Sequence, residues 1–181
     1  MTERPADVVF ETERLVVRRW SMADAAAAFA IYGDPDVMHF LGDGTPVPDV
    51  AAEQARLEQR IDAYEEHPGL GGWAMQRRDD GAVVGSVLLK PLPGDERVEV
   101  GWHLARATWG SGYATEAARG ALDHGFTALG LDEIFAVVDG RNSRSLAVVR
   151  RLGMTPLGRT DRYYGRTLER FVTPAIAMTR A

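Results

Sequence analysis

The middle of the chain contains a strand, a glycine-rich turn and a helix in direct succession. Residues Arg97–Leu104 alternate between two faces, which predicts a strand with one buried face. Residues Trp109–Thr115 hold two glycines among small neighbours, and an alanine-rich stripe then predicts a helix to about Leu129. Such a turn directs main-chain N–H groups into one concavity, and the helix N-terminus adds roughly half a positive charge. The segment can therefore hold a phosphate or diphosphate without a cationic side chain.

Two other phosphate-binding motifs do not fit this turn. Lys90 is the only lysine of the chain, and it follows Leu89 rather than a glycine, which excludes a G-x-x-x-x-G-K-[ST] loop. A dinucleotide fingerprint that starts at Gly110 needs a glycine where Thr115 stands. The spacing of the two glycines alone leaves two interpretations open, a phosphate-binding turn or an ordinary connection between a strand and a helix.

The order of the predicted elements indicates an α+β fold. Helices are predicted from the capping box Ser21–Asp24 to about Tyr32, over Asp49–Glu66, after the glycine turn, and from Asn142 to Gly153. The pair Asp34-Pro35 ends the first helix. Strands are predicted at Glu13–Arg19, Gly72–Arg77, Ala82–Leu89, Arg97–Leu104 and Glu133–Val138, with one or two more in the remainder, which includes Phe171–Met178. We expect a mixed, mostly antiparallel sheet of about six to seven strands with about four flanking helices, in one domain over residues 1–181.

Composition restricts the class of protein. The chain has 181 residues, no cysteine and a formal net charge of −5. Without cysteine there are no disulfides, thiol nucleophiles or iron–sulfur clusters, and the four histidines show no metal-ligand spacing. The acidic balance disfavours a nucleic-acid partner. The longest apolar run, Ala25–Tyr32, is too short for a bilayer, and Met1–Asp7 lacks the apolar core of a secretory signal. We expect a cytoplasmic protein without a metal, a membrane partner or a nucleic-acid partner.

Four motifs in order resemble the GNAT superfamily of N-acetyltransferases, in particular its RimJ/RimL-type branch. The first is Glu11–Arg19, which is similar to the opening strand of that branch, and the second is Gly33–Gly42 after the first helix. The third joins the strand Val98–Leu104 to the turn that starts at Trp109. The fourth pairs Asn142–Ser145 with Arg151–Met154. The resemblance covers nearly the whole chain, and it implies a sheet that splays open between its fourth strand, Arg97–Leu104, and its fifth, Glu133–Val138.

The resemblance also implies acetyl-CoA as the acetyl donor. Its diphosphate would lie on the turn formed by Trp109, Gly110, Ser111, Gly112, Tyr113, Ala114 and Thr115. Its pantetheine arm would pair with the backbone near His103 and Leu104, inside the splayed gap, with Asn142 as a hydrogen-bonding partner and Ser145 beside it. Two positions depart from the pattern of the superfamily. Trp109 stands where Gln or Arg is usual, and Val149 stands where many members carry a tyrosine that acts as general acid.

Acetyl transfer to an amine needs a base, an oxyanion donor and a tolerated leaving thiolate. An ammonium with a pKa near ~10 is not a nucleophile, and Glu99 is our candidate base, directly or through water. A backbone N–H of the strand Arg97–Leu104 would stabilise the oxyanion. Ser145 is either a proton donor to the thiolate or a helix-capping residue, and His103 would line the cleft. Candidate walls of an acceptor pocket are Phe40, Trp73, Tyr163 and Tyr164.

Three functions remain open at this level. The first is an N-acetyltransferase that acts on a primary amine, either a protein N-terminus or a small amine such as an antibiotic. The second is a non-catalytic acyl-CoA-binding regulatory module, and the third is a nucleotide-binding module. A mildly acidic chain fits a cationic acceptor. The protein is expected to be a monomer or a homodimer.

Overall fold

The computed structural model describes residues 8–67 and 69–175. The predictions made for Met1–Asp7, and for the part of Phe171–Met178 beyond residue 175, lie outside the described residues. Eight strands form one sheet in the order β1-β2-β3-β4-β5-β6-β8-β7. Their bounds are β1 Val8–Glu11, β2 Leu15–Arg18, β3 Gly71–Arg77, β4 Val83–Pro91, β5 Val98–Leu104, β6 Glu133–Val138, β7 Thr155–Thr160 and β8 Leu168–Pro174.

The helices follow the strands in an α+β arrangement. They are α1 Ala25–Tyr32, α2 Pro35–Met38, α3 Val50–Glu66, α4 Tyr113–Thr127 and α5 Ser143–Arg151, with short 3₁₀ turns at Met22–Asp24 and Arg106–Thr108. The predicted capping box is present, since Asp24 accepts hydrogen bonds from the backbone N–H and the hydroxyl of Ser21. Asp49 caps α3 by accepting from the Ala52 N–H at 2.8 Å.

The fold class is confirmed, but two counts were wrong. The sheet has eight strands rather than six or seven, because β1 was not predicted, whereas β7 and β8 are the one or two strands expected after the last helix. There are five α-helices rather than four in the described part of the chain. The extra helix is α2, which begins at Pro35. Proline ends α1 as predicted, yet at the first position of a helix its fixed φ is favourable, and Asp34 caps the new turn.

Helices cover both faces of the sheet. On one face, Val98, Val100 and Leu104 of β5 pack with α4 in the larger apolar cluster, as their alternation predicted. The buried side of α4 consists of small residues, and a Cβ on Gly125 would lie 2.6 Å from the Cδ1 of Ile134. The helix therefore lies close against the sheet. On the other face α1 and α3 pack in a second cluster, so the remaining side of β5 faces them.

The sheet is antiparallel except at one place, where β5 and β6 run parallel. Their register contains a single pair, Glu99 with Phe135, so the two strands separate beyond that point. The Ala105 N–H donates to the Val84 carbonyl at 2.9 Å. Because backbone groups alternate along a strand, Trp102 and Leu104 direct theirs away from β4 and toward the gap. The predicted splay, between the fourth and fifth strands of the sequence pattern, is thus the gap between β5 and β6.

Candidate functional site

The turn between β5 and α4 has the geometry of an anion cradle. Gly110 and Gly112 have φ values of 83° and 84°, a left-handed conformation that strongly favours glycine. The first three N–H groups of α4 have no partner within the helix. In the described part of the chain, no backbone hydrogen bond is donated by the N–H of Gly110, Gly112, Tyr113, Ala114 or Thr115. These amides fit a diphosphate, which takes N–H donors and the positive end of a helix.

Arg14, in the β1–β2 hairpin, holds this cradle from outside. Its guanidinium donates to the Ser111 carbonyl at 3.0 Å, and one of its nitrogens would lie 3.3 Å from a Cβ on Gly112. It also lies 4.6 Å from the ring centre of Tyr113. Glu116 of α4 accepts from the side chain of Arg14 and from the Thr12 hydroxyl at 2.7 Å each. The turn is therefore fixed by residues about 100 positions earlier in the chain.

Replacing Arg14 should loosen the cradle without unfolding the protein. We expect Arg14→Gln to weaken acetyl-CoA binding by about three- to tenfold, because the turn loses the contact between Arg14 and the Ser111 carbonyl. The fold should survive, because the Arg14 side chain is 45% exposed and ion pairs of this kind contribute little stability. Isothermal titration calorimetry with acetyl-CoA measures the change. Arg78→Gln is the matched control, since Arg78 pairs with Glu11 and the Thr12 carbonyl of the same hairpin rather than with the turn. Equal losses in both variants would contradict a specific role of Arg14.

The cradle opens into a cavity of about 570 Å³ that follows the gap from β5 to α5. Trp109 lines it and closes its corner, because its indole N–H donates to the Leu104 carbonyl at 3.1 Å. The guanidinium of Arg144 lies 4.3 Å from the Trp109 ring centre, which joins α5 to the turn across the cavity. Arg151 also lines the cavity, so cationic groups surround the place where phosphates would lie.

The predicted cofactor residues do not all face this cavity. His103, Leu104, Trp109, Gly110, Gly112, Ala114, Thr115, Asn142 and Ser145 line it. Ser111 instead offers its carbonyl to Arg14, and Tyr113 lies under the guanidinium of Arg14. The Leu104 carbonyl already accepts a hydrogen bond from the Trp109 indole. The backbone groups of Trp102 are therefore more available to a molecule in the gap.

The start of α5 combines capping with exposure to the cavity. Asn142 caps the helix, since its side-chain oxygen accepts from the Ser145 N–H at 3.1 Å. Both residues nevertheless line the cavity, so capping and contact with a bound molecule are compatible at this end of the helix. Val149 is fully buried in the core. This position of α5 therefore offers neither a proton nor a contact with the cavity.

Glu99 is buried, with 5% of its surface exposed, at the point where β5 and β6 part. Burial raises the pKa of its carboxyl group, while the Tyr164 hydroxyl and the Lys90 ammonium oppose that rise. The Tyr164 hydroxyl donates to Glu99, and the Lys90 Nζ lies 5.5 Å from the Tyr164 ring centre. Glu99 does not line the cavity, so a proton from a bound molecule would reach it through water.

A second cavity of about 520 Å³ approaches β5 from the side of α3. It shares Leu41 and His103 with the first cavity. Tyr32 of α1 shares a hydrogen bond of 3.1 Å with Nδ1 of His103. Burial, together with the positive charges of Lys90 and Arg60, lowers the pKa of His103 to about 3. The imidazole is therefore neutral near pH 7, and it stands where the two cavities meet.

Several contributors to the site are not predicted by the sequence patterns. Those patterns do not point to Arg14, Tyr32 or Arg60, and they indicate Tyr164 as a pocket wall rather than as the partner of Glu99. A signal for Arg60 exists, because α3 directs one row of side chains into the second cavity at helical spacing, namely Arg56, Arg60, Ala63 and His67.

The other candidate walls of an acceptor pocket lie in three different places. Trp73 is a core residue, and Phe40 lines the first cavity. The Tyr163 hydroxyl donates to Asp95 at 2.7 Å, away from both cavities. Of these three aromatic side chains, only Phe40 is therefore placed to contact a bound molecule.

A mixed sheet that opens between two parallel strands, with free amides at the mouth of the opening, is the arrangement that the resemblance to the GNAT superfamily of N-acetyltransferases implied. The comparisons with known proteins agree with this resemblance. The family model described as "Acetyltransferase (GNAT) domain" matches residues 14–155, and the chain belongs to this family. It is an N-acetyltransferase, as its resemblance to the RimJ/RimL-type branch implied.

Relatives of similar length support the assignment. The N-acetyltransferase YoaA of Bacillus subtilis is 28% identical over 156 residues, which cover 86% of this chain and 87% of YoaA. The N-acetyltransferase p20 of Bacillus licheniformis is 30% identical over 149 residues, or 81% of this chain and 82% of p20. The fold is similar to that of Mycobacterium smegmatis RimJ, solved in complex with CoA-disulfide, with a TM-score of 0.76 at 24% identity over 94% of this chain and 90% of RimJ. Among the described residues, no helix has the length and apolar character needed to cross a membrane.

Proposed function

We propose that this protein moves the acetyl group of acetyl-CoA to a primary amine by direct attack on the thioester. The observation that carries the proposal is that two cavities share His103 and Leu41 in their linings, beside the open backbone edge of β5. One cavity begins at an amide cradle that suits a diphosphate, and the other reaches the same place from α3. A thioester in the first cavity would thus be open to attack by an amine in the second.

The donor would be held mainly by main-chain groups. The free amides of the turn take the diphosphate, and the edge of β5 at Trp102 offers strand-like pairing to the pantetheine arm. An N–H of the same edge is placed to stabilise the oxyanion of the thioester carbonyl. The amides of the turn, together with the N-terminus of α4, explain why a diphosphate site can form here without the lysine that nucleotide-binding loops use.

Proton transfer falls to the side chains at the two ends of the gap. The amine gives its proton through water to Glu99, whose raised pKa makes it a better base than an exposed carboxylate. The C–N bond forms as the C–S bond breaks, and the thiolate takes a proton from the Ser145 hydroxyl, which regains one from water. Lys90 and Tyr164 both favour the ionised form of Glu99, which is the form that can accept a proton.

Release of free CoA tests the proposal. With saturating acetyl-CoA, thiol release measured by a colorimetric reagent should depend on added amine and should follow the concentration of its unprotonated form. The amines to compare are a peptide with a free N-terminus, spermidine and L-phenylalanine. Tight binding of acetyl-CoA without amine-dependent thiol release would instead support a regulatory acyl-CoA-binding module.

A further inference from the structure

The second cavity is lined by cationic side chains. These are Arg56 and Arg60 of α3 and Lys90 of β4, and no described carboxylate lines the cavity. The rest of its wall is largely apolar, with Met38, Leu41, Leu70 and Leu88. A volume of about 520 Å³ suits a small molecule rather than a folded partner.

Arg60 is held in place with donors to spare. Its guanidinium lies 5.0 Å from the Tyr32 ring centre and 5.5 Å from the Trp20 ring centre. Its Nη2 lies 3.5 Å from a carboxylate oxygen of Glu53, a residue with no exposed surface. Its Nη1 is buried without a hydrogen-bond partner among the described residues, and 23% of the side chain remains exposed. Because Arg60 lines the cavity and part of its side chain is exposed there, its rigid guanidinium is a binding group for an oxyanion.

The carboxylates that interact with these cations do not line the cavity. Glu53 interacts with Arg60 and Arg56, Asp43 with Arg56, and Glu99 with Lys90, but none of the three is part of the lining. Within the cavity, burial and the positive charges of Lys90 and Arg60 lower the pKa of His103. A polyamine would bring further positive charge into this space, whereas a carboxylate or phosphate would be attracted to it.

We infer that the acceptor is a small amine that also carries a carboxylate or phosphate group, which Arg56 and Arg60 bind while the amine points toward His103. This inference rests on the proposed function. It names an anionic amine with an apolar body, such as an apolar amino acid, and it reverses the expectation that an acidic chain takes a cationic acceptor. The net charge of −5 is that of the whole chain, whereas the charged side chains that line this cavity are positive.

Matched pairs of amines test the inference by calorimetry with CoA-saturated protein. The pairs are L-phenylalanine with 2-phenylethylamine, L-leucine with 3-methylbutylamine, and O-phosphoethanolamine with ethanolamine, and spermidine is added as a polyamine. The acidic member of a pair should bind at least about tenfold more tightly than its partner, because it gains charge-assisted hydrogen bonds. The first two pairs report on a carboxylate, and the third reports on a phosphate.

Two variants should remove this preference. Arg56→Gln changes an exposed residue, and the double variant Arg60→Gln/Glu53→Gln avoids leaving a buried carboxylate unpaired. We expect each to reduce the preference for the acidic member to less than about threefold. Arg159→Gln is the control, since Arg159 pairs with Glu169 on β7 and β8 and lines neither cavity.

The outcomes separate this inference from the proposed function. Equal or tighter binding of the decarboxylated amines or spermidine, no binding of any acidic member, or an unchanged preference in the variants would overturn the inference. Thiol release from acetyl-CoA with a decarboxylated amine would leave the acetyltransferase proposal standing. Tight binding of an acidic amine without any thiol release would count against the proposed function alone.

Discussion

Replacing Gly112 with tryptophan should abolish acetyl-CoA binding, with a loss of at least about 100-fold in affinity, or about 2.7 kcal/mol. Gly112 stands at the start of α4 with a φ of 84°, in the middle of the unpaired amides. A bulky side chain there would fill the concavity that the diphosphate needs, and Arg14 blocks its escape on one side. Isothermal titration calorimetry with acetyl-CoA measures the loss, and circular dichroism shows whether the variant is folded.

Backbone strain needs its own control, because any side chain at a positive φ is unfavourable. Gly130 provides it, with a φ of 67° and open space within 4 Å of the position that a Cβ would take. It lies between α4 and β6, away from the cradle. We expect Gly130→Trp to lose some stability and to keep its affinity for acetyl-CoA. A folded Gly112→Trp variant that binds acetyl-CoA normally would reject the placement of the diphosphate on this turn.

Replacing Glu99 with glutamine should lower kcat by about 100-fold or more, while the Kd for acetyl-CoA changes little. The amide keeps the size of the carboxyl group and can still contact Tyr164, but it cannot accept a proton from the amine. Steady-state rates of thiol release, compared with calorimetric affinities, separate the two effects. Glu58→Gln, an exposed position of α3, is the matched control and should leave both quantities unchanged.

The pH dependence of kcat gives an independent test of Glu99. Burial raises the pKa of Glu99, so activity should rise with pH through a limb above the usual carboxyl range. The Tyr164 hydroxyl stabilises the ionised form, and Tyr164→Phe should therefore raise this pKa further and move the limb to higher pH. His103, with a pKa of about 3, does not titrate in that range. An acidic limb that is the same in the unmodified protein, in Tyr164→Phe and in Glu99→Gln would remove Glu99 as the base.

Local patterns predicted the central elements of the fold. The alternation of Val98–Leu104, the capping box at Ser21 and the stripe of α4 each depend on neighbours in sequence, and all appear in the structure. The edge strands carry no such pattern. β1 has four residues, and β7 is exposed at nearly every position with a proline and a glycine inside it. Their pairing comes from the neighbouring strands rather than from their own periodicity.

The candidate site also has parts that local sequence patterns predict and parts that they do not. The glycine turn is contiguous, so residues 109–115 were enough to predict a turn with unpaired amides at the start of a helix. The Arg14 contact with Ser111 and the Tyr164 contact with Glu99 join residues 97 and 65 positions apart. Only the order of the strands in the sheet brings such residues together, and no spacing in the sequence encodes that order. The cationic lining of the second cavity was partly predictable. Its arginines recur at helical spacing along α3, but the sequence does not show how deeply each of them is buried.

The two cavities reach His103 by separate routes, one from the turn before α4 and one from α3. If acetyl-CoA occupies the first cavity and the amine the second, as proposed, neither has to leave before the other binds. Direct transfer would then need no covalent acyl-enzyme. The ternary complex would form in either order of binding, and the acceptor cavity could change in evolution without a change in the donor cavity.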